Sequence, residues 1–354
     1  MFDANYSFSE RLLHRFALGS SFVAEASFDL ERFISKQAQN VSHRSHLFIA
    51  GLARAGTTVL MRTFYKTGKY RSLTYRDMPF VLMPNIWRML SSRFWKYSPE
   101  KERAHGERIL VNFDSPEALE EVFWRVHYGK DYIFDDCLKP HWIDNEGIKM
   151  IRQYIGLILS CSAQSGGLLY LSKNNNNVLR LESIRRAFPN SNILIPFRDP
   201  VQQAISMLAQ HQKFCRIQTE NKFSYHYMRW LAHHEFGLTH RPFFFEETGT
   251  KINSCNDATD INYWLKRWIE IYTYLLESSP SGSFFVCYES LCQQPETVLS
   301  SLFNQAQLDI DFGEIDMNFI ASDWKEACTH VDAGLLNQAS HIYQKLESRS
   351  VGVQ

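Results

Sequence analysis

The 354-residue chain carries 38 Lys plus Arg against 38 Asp plus Glu, so no long-range field is available to hold a nucleic-acid backbone or an anionic membrane, and any polyanion site has to be local. A hydrophobic fraction of 45%, with 26 Phe, 16 Tyr and 8 Trp, supplies a sizeable interior and excludes extensive disorder. Seven scattered cysteines lack the paired spacing of a zinc site or a disulfide framework, which fits a reducing cytoplasm.

In chain order, Asp3, Glu10, Arg11, His14 and Arg15 break up any signal-peptide core at the start. The longest apolar stretch, Tyr154 to Ala163, falls short of the roughly 20 residues that cross a bilayer as a helix. Residues 7–39 predict two helices, because Leu12, Leu13, Phe16 and then Phe22, Val23, Phe28, Phe33 and Ile34 recur near helical spacing. These helices form an N-terminal addition ending at residue 45, with the apolar residues directed at the core. His46 to Ala50 reads as a short strand, followed by a small-residue turn and a helix over Thr57 to Lys66.

The strand-then-helix pattern returns at Leu168–Ser172 into Val178–Phe188, at Asn192–Phe197 into Val201–Gln212, and at Ser283–Cys287 into Pro295–Gln305. Such alternation predicts an α/β fold with a central parallel sheet flanked by helices. Pro196 would remove a ladder donor from its strand, so it belongs at the strand's carboxyl end. The intervals 85–165 and 213–280 are helical in pattern and are assigned as acceptor or lid elements. The nucleotide-binding core is then 46–212 with 283–350, and the whole of 1–354 forms one domain. No fixed-period repeat occurs.

The segment Gly51-Leu52-Ala53-Arg54-Ala55-Gly56-Thr57-Thr58 has the two glycines of a phosphate-binding loop, with Thr57 where a Walker lysine would stand. The charge has moved to Arg54. Backbone N–H groups of such a turn cradle a phosphate, Arg54 can fork onto its oxygens, and Thr57 and Thr58 offer hydroxyls. A tight strand-to-helix turn with a threonine cap would use the same residues without a ligand. Further on, Arg198-Asp199-Pro200 opens a helix, with Ser206 eight positions later (206 − 198). Arginine and serine together suit a second phosphate, although a surface pairing of Arg198 with Asp199 is the plainer alternative.

In these two elements, taken in this order, the chain resembles the sulfotransferases that use 3′-phosphoadenosine-5′-phosphosulfate (PAPS), the bacterial and tyrosylprotein members more than the cytosolic eukaryotic ones. The resemblance covers about residues 46–90, 167–212 and 283–345. It implies a P-loop NTPase-like three-layer sandwich. It also implies that Arg54, Ala55, Gly56, Thr57 and Thr58 hold the 5′-phosphosulfate while Arg198 and Ser206 hold the 3′-phosphate. Lys173, 25 residues before Arg198 (198 − 173), and Tyr288 in Tyr288-Glu289-Ser290-Leu291 also match the pattern. Lys173 would then touch the bridging oxygen or the sulfuryl group, and Tyr288 would lie against adenine. Asp332 to Leu346 looks like the final helix of bacterial members, and Trp324-Lys325 is faintly similar to a basic cofactor-binding segment.

Sulfuryl transfer spreads charge over oxygens, so alignment and fixed cations such as Arg54 and Lys173 should carry most of the catalysis, and a base must take the acceptor's proton. Where cytosolic eukaryotic members have a histidine two residues after the lysine, this chain has Asn175, which takes up no proton at neutral pH. The resemblance places the base at Asp77, in Tyr75-Arg76-Asp77-Met78-Pro79, with a helix cap or an Arg76–Asp77 pair as the plainer role. Asn174 to Asn177 offers amides to a polar acceptor but suits a turn and cap better. His233 and His234 beside Glu235 read as a solvated helix face, and no metal is expected. The acceptor, whether small molecule, carbohydrate, lipid or peptide, is not legible. A non-catalytic nucleotide-binding protein and a small-molecule kinase are the alternatives. The kinase would need the missing loop lysine and a magnesium ligand.

Overall fold

The computed structural model describes residues 6–35, 40–94, 101–102, 110–111, 113–160, 167–246, 257–315, 317, 319 and 330–352. Trp324 and Lys325 lie outside the described residues. Ser7 and Glu10 form a reciprocal capping box that starts α1 (Phe8–Gly19), and Ser20 caps α2 (Ser21–Ile34) by accepting from the Val23 N–H. The two helices fall where the periodicity puts them, but of the apolar residues it marks only Phe28 is fully buried. His14, Ala17, Leu18, Ala24, Ser27, Phe28 and Glu31 are buried, whereas Leu12, Phe16, Phe22, Phe33 and Ile34 are exposed. Small residues allow the close approach. Glu31 is inside because its carboxylate accepts from the N–H groups of Asn85 and Ile86, at the positive end of another helix.

After β1 (Leu47–Ile49) come α3 (Thr57–Lys66), the two-residue β2 (Tyr70–Arg71) and α4 (Pro84–Ser91). An antiparallel pair, β3 (Lys101–Glu102) and β4 (Leu110–Val111), interrupts the interval read as helical, which continues with α5 (Glu121–Tyr132) and α6 (Asn145–Ser160). Next are β5 (Leu169–Lys173), α7 (Leu181–Ala187), β6 (Asn192–Phe197), α8 (Pro200–Glu220), α9 (Lys222–Trp230) and α10 (Ile261–Ser278). β7 (Ser283–Cys287), α11 (Tyr288–Gln293), α12 (Pro295–Ala306) and α13 (Ala333–Ser348) complete the chain. Among the described residues no helix is long and apolar enough to cross a membrane.

Five strands form one parallel sheet in the order β2-β5-β1-β6-β7. Side chains alternate across it, and both faces are apolar, as a parallel sheet covered on both sides requires. Phe48, Ile193, Ile195 and Phe197 belong to one buried cluster with Phe123, Tyr154, Ala204 and Trp268. Leu47, Ile49, Leu194 and Val286 belong to the other with Leu60, Phe64, Leu299 and Leu302. The result is a three-layer α/β sandwich.

Pro196 sits within β6, second from its carboxyl end. The Ile193 N–H donates toward β7, to Gly282, while the Asn192 N–H donates toward β1, to His46. By alternation the Pro196 nitrogen faces the β1 side, where β1 has already ended at Ile49. No ladder bond is lost. The Pro196 carbonyl instead accepts from Tyr272 Oη at 2.9 Å.

Candidate active site

The turn between β1 and α3 is shaped by what packs against it. A Cβ on Gly51 would meet the Pro196 carbonyl oxygen at 3.1 Å, and one on Gly56 would meet Tyr288 Cδ2 at 2.7 Å. Gly56 has φ +82° and stands at the α3 cap position with no side-chain cap, which leaves the helix's first N–H groups aimed into the turn. Arg54 also has a positive φ, 74°, a backbone strain of about 1–3 kcal/mol for a non-glycine residue that the surrounding structure has to impose.

From this turn the Arg54 side chain reaches the β6–α8 segment. Its Nε donates to Ser206 Oγ at 2.9 Å, so the turn and the β6–α8 segment meet within one guanidinium's reach. Arg198 follows β6 directly and is buried, and its guanidinium carbon lies 5.0 Å from the centre of the Tyr288 ring. Tyr288 therefore touches both the turn and Arg198. Asp199 does not pair with Arg198 at the surface. It caps α8 by accepting from the Gln202 N–H, and its own N–H donates to Glu289. Glu289 also accepts from Tyr343 Oη of α13 and stands 4.0 Å from Arg198 Nε. The Tyr288-Glu289 pair thus divides its work: the ring faces the turn and the carboxylate fastens three elements.

Lys173 ends β5, in register with Ile49 of β1, and is buried. The structure gathers Arg54, Ala55, Gly56, Thr57, Arg198, Ser206 and Tyr288 at the carboxyl end of the sheet, with Lys173 on the adjoining strand. Asp77 is also buried, but it lines a separate cleft with Tyr65, Arg71, Thr74, Arg76 and Asp114. Its carboxylate accepts from the Thr74 N–H at 2.7 Å, from Thr74 Oγ1 at 3.1 Å and from Arg71 at 3.4 Å. Arg76 pairs with Asp114 rather than with Asp77.

A family model of the sulfotransferases matches residues 46–242, the span that holds the turn, Lys173, Arg198 and Ser206. The chain belongs to the sulfotransferase family. Its fold is shared with a sulfotransferase of Mycobacterium tuberculosis at 12% identity, over 99% of this chain and 88% of that one, with a TM-score of 0.52. A Mycobacterium avium sulfotransferase aligns at 12% identity over 99% and 83%, with a TM-score of 0.47. A search of the curated proteins finds no match.

In this sulfotransferase the segment around Glu235 departs from the sequence reading. α9 ends at Trp230, and Ala232, at φ 51°, turns the chain inward. His233, His234 and Glu235 consequently form a loop against the site and not a solvated helix face. His234 is buried, and the side chains of His233 and Glu235 are only 17% and 16% exposed. His233 Nδ1 lies 3.6 Å from Glu235 Oε2, and Asn175 Nδ2 donates to Glu235 Oε1 at 3.0 Å.

Burial alone would raise the Glu235 carboxyl. The His233 charge and hydrogen bond, with Lys173 beyond, outweigh it and bring the group down to about 2. Burial would likewise lower His233, but Glu235 holds it above its ordinary value. Burial takes His234 down to about 4. Among the described residues no three His, Cys, Asp or Glu side chains are grouped to hold a metal ion.

Two further residues carry no signal in the sequence. Buried Gln203 donates to the Ala53 carbonyl and accepts from Trp268 Nε1, each at 2.9 Å, tying α8 and α10 to the turn. Three asparagines of the 174–177 run are internal braces: Asn174 caps through the Asn176 N–H, Asn176 reaches the Ala232 carbonyl and Asn177 reaches Ser172. Asn175 alone of the four lines the cleft beside Glu235.

Proposed function

We propose that this sulfotransferase takes its sulfuryl group from PAPS and passes it, by in-line displacement, to a hydroxyl or amine. The observation that carries the reading is the Arg54 Nε to Ser206 Oγ bond of 2.9 Å. It brings the residues assigned to the two charged ends of the nucleotide within the span of one ligand.

In this reading the N–H groups of Ala55, Gly56, Thr57 and Thr58 and the Arg54 guanidinium hold the 5′-phosphosulfate. Arg198 and Ser206 hold the 3′-phosphate, and the Tyr288 ring supports adenine. Lys173 stands against the bridging oxygen, where negative charge grows as the S–O bond breaks, so its ammonium stabilises the transition state more than the ground state. The thiols of Cys137, Cys215, Cys287 and Cys292 are free, and we place the reaction in the reducing cytoplasm. Proton removal falls to a carboxylate. Asp77 is the one the sequence pattern points to, and Glu235 is the one that the fold adds.

Calorimetric titration with 3′-phosphoadenosine-5′-phosphate (PAP), AMP and ATP tests the reading. The wild type should prefer PAP. Arg198→Ala should weaken PAP about 10- to 100-fold, as the loss of a charged hydrogen-bond set of about 1.5–3 kcal/mol requires, while AMP binding changes little. Equal losses for PAP and AMP, or a preference for ATP, would reject the assignment.

A further inference from the structure

Between the phosphate-binding turn and the Glu235 loop lies a cleft open to solvent. Leu52 of the turn, Met207 of α8, Phe236 and Phe243 of the loop region, and Trp264 and Ile271 of α10 wall it. Its polar lining is mostly engaged. Arg267 donates to Glu270 at 3.0 Å, and His240, kept neutral by burial, shares a hydrogen bond with Tyr263 Oη at 2.7 Å. Half-exposed Arg241 adds a cation.

One corner differs. Glu235 can only accept, so the Asn175 amide must present its NH₂ to it, which fixes the orientation of the amide and turns Oδ1 the other way. Asn175 is 7% exposed, and among the described residues its Oδ1 has no hydrogen-bond partner. A buried amide oxygen without a donor, where it also faces a cleft, is a place where a bound molecule can supply one. The corner therefore offers two acceptor-only oxygens, one from Asn175 and one from Glu235, at the end of a largely apolar slot, with Asn175 two residues beyond Lys173, the last residue of β5.

We propose that Glu235 is the proton acceptor of the reaction and that the cleft binds an apolar alcohol of aromatic size. This rests on the PAPS reading above. An entering hydroxyl turns its hydrogen to the Glu235–Asn175 corner and its lone pair to the sulfuryl group on the turn. The lone pair forms the new O–S bond, and the S–O bond to the 5′-phosphate breaks with its electron pair going to PAP. The hydroxyl proton passes to Glu235 and then to solvent. A weak carboxylate base suffices, because an alcohol oxygen already bonding to sulfur is far more acidic than the free alcohol. Asn175 and His233 hold the carboxylate in place and ionised.

The experiment follows sulfate from PAPS to 2-naphthol and, in parallel, to methyl β-glucoside, with PAP titrated into every variant. Wild type should form naphthyl sulfate and leave the glucoside alone. Glu235→Gln should lower kcat about 10²- to 10³-fold with the KM for 2-naphthol changed less than about threefold, since only the proton acceptor is removed. PAP affinity should stay at the wild-type value even where the melting temperature falls with the lost His233–Glu235 ion pair, and Glu235→Asp should recover part of the rate. Wild-type turnover in Glu235→Gln, with Asp77→Asn inactive, would return the role to Asp77 and overturn the proposal. So would transfer to the glucoside in preference to 2-naphthol, or no transfer to 2-naphthol by an enzyme that binds PAP. An enzyme that does not bind PAP would overturn the donor reading itself.

Discussion

Gly56 and Tyr288 are packed so closely that a single methyl group cannot be placed between them: a Cβ on the glycine would come to 2.7 Å of Tyr288 Cδ2. The contact joins the β1–α3 turn to the start of α11, two segments 232 residues apart (288 − 56). Gly56→Ala would meet the ring and also the cost of about 1–2 kcal/mol that a left-handed conformation imposes on an L-residue. The expected outcome is a lower melting temperature together with a loss of PAP affinity of at least about tenfold, or 1.4 kcal/mol. A variant that melts lower but binds PAP as the wild type does would remove the ring from the proposed nucleotide site.

Much of this arrangement is legible in the sequence, because it depends on local signals. Short apolar runs bounded by turns give β1, β5, β6 and β7, and the parallel sheet follows from the helices between them. The Glu235 loop is not legible in this way. Its direction is set by the positive φ of Ala232 and by the Asn176 amide bonded to the Ala232 carbonyl, neither of which a hydrophobic pattern records. The N-terminal helices show a related failure. Periodicity marks Phe28, which is buried, but it also weighs Phe16, Phe22 and Phe33, which are exposed, while the rest of the packed face is made of Ala17, Leu18, Ala24, Ser27 and a Glu31 that caps α4. The two-residue β2 is too short for any pattern, and a partner already in the sheet, β5, supplies its order.

Behind the Asn174–Asn177 turn lies a buried ion pair. Arg180 Nη2 donates to Glu121 Oε1 at 2.9 Å, with both side chains at most 1% exposed, and the guanidinium lies 4.5 Å from the Trp124 ring centre and 5.1 Å from that of Tyr132. Glu121 also accepts from Tyr132 Oη and from the Asn174 amide. Glu121→Ala would leave a buried guanidinium uncompensated, at a cost of about 3–5 kcal/mol. Replacing both partners, as Glu121→Leu with Arg180→Met, should cost less than the single change. Denaturant midpoints of the two variants decide the matter: a double variant less stable than Glu121→Ala would show that the pair contributes more than the desolvation of its charges.

Glu120 provides a pH test on the same helix start. It is 3% exposed, its Oε1 accepts from Ser172 Oγ, and among the described residues its Oε2 has no hydrogen-bond partner. Burial raises its carboxyl to about 7 from an ordinary 4.5, with the Ser172 bond pulling the other way and the Glu121 charge adding to the rise. A carboxyl raised on folding binds its proton more tightly in the native state. Its contribution to stability is therefore complete below about 4.5 and is lost as the pH climbs through about 7, by on the order of a few kcal/mol for a shift of this size. Glu120→Gln keeps an oxygen for Ser172 and cannot ionise. The variant should match the wild type in denaturant stability near pH 4.5 and exceed it progressively toward pH 8. A stability difference that stayed constant across this range would mean that Glu120 does not change its proton on folding, and the buried carboxyl would have to be ionised throughout.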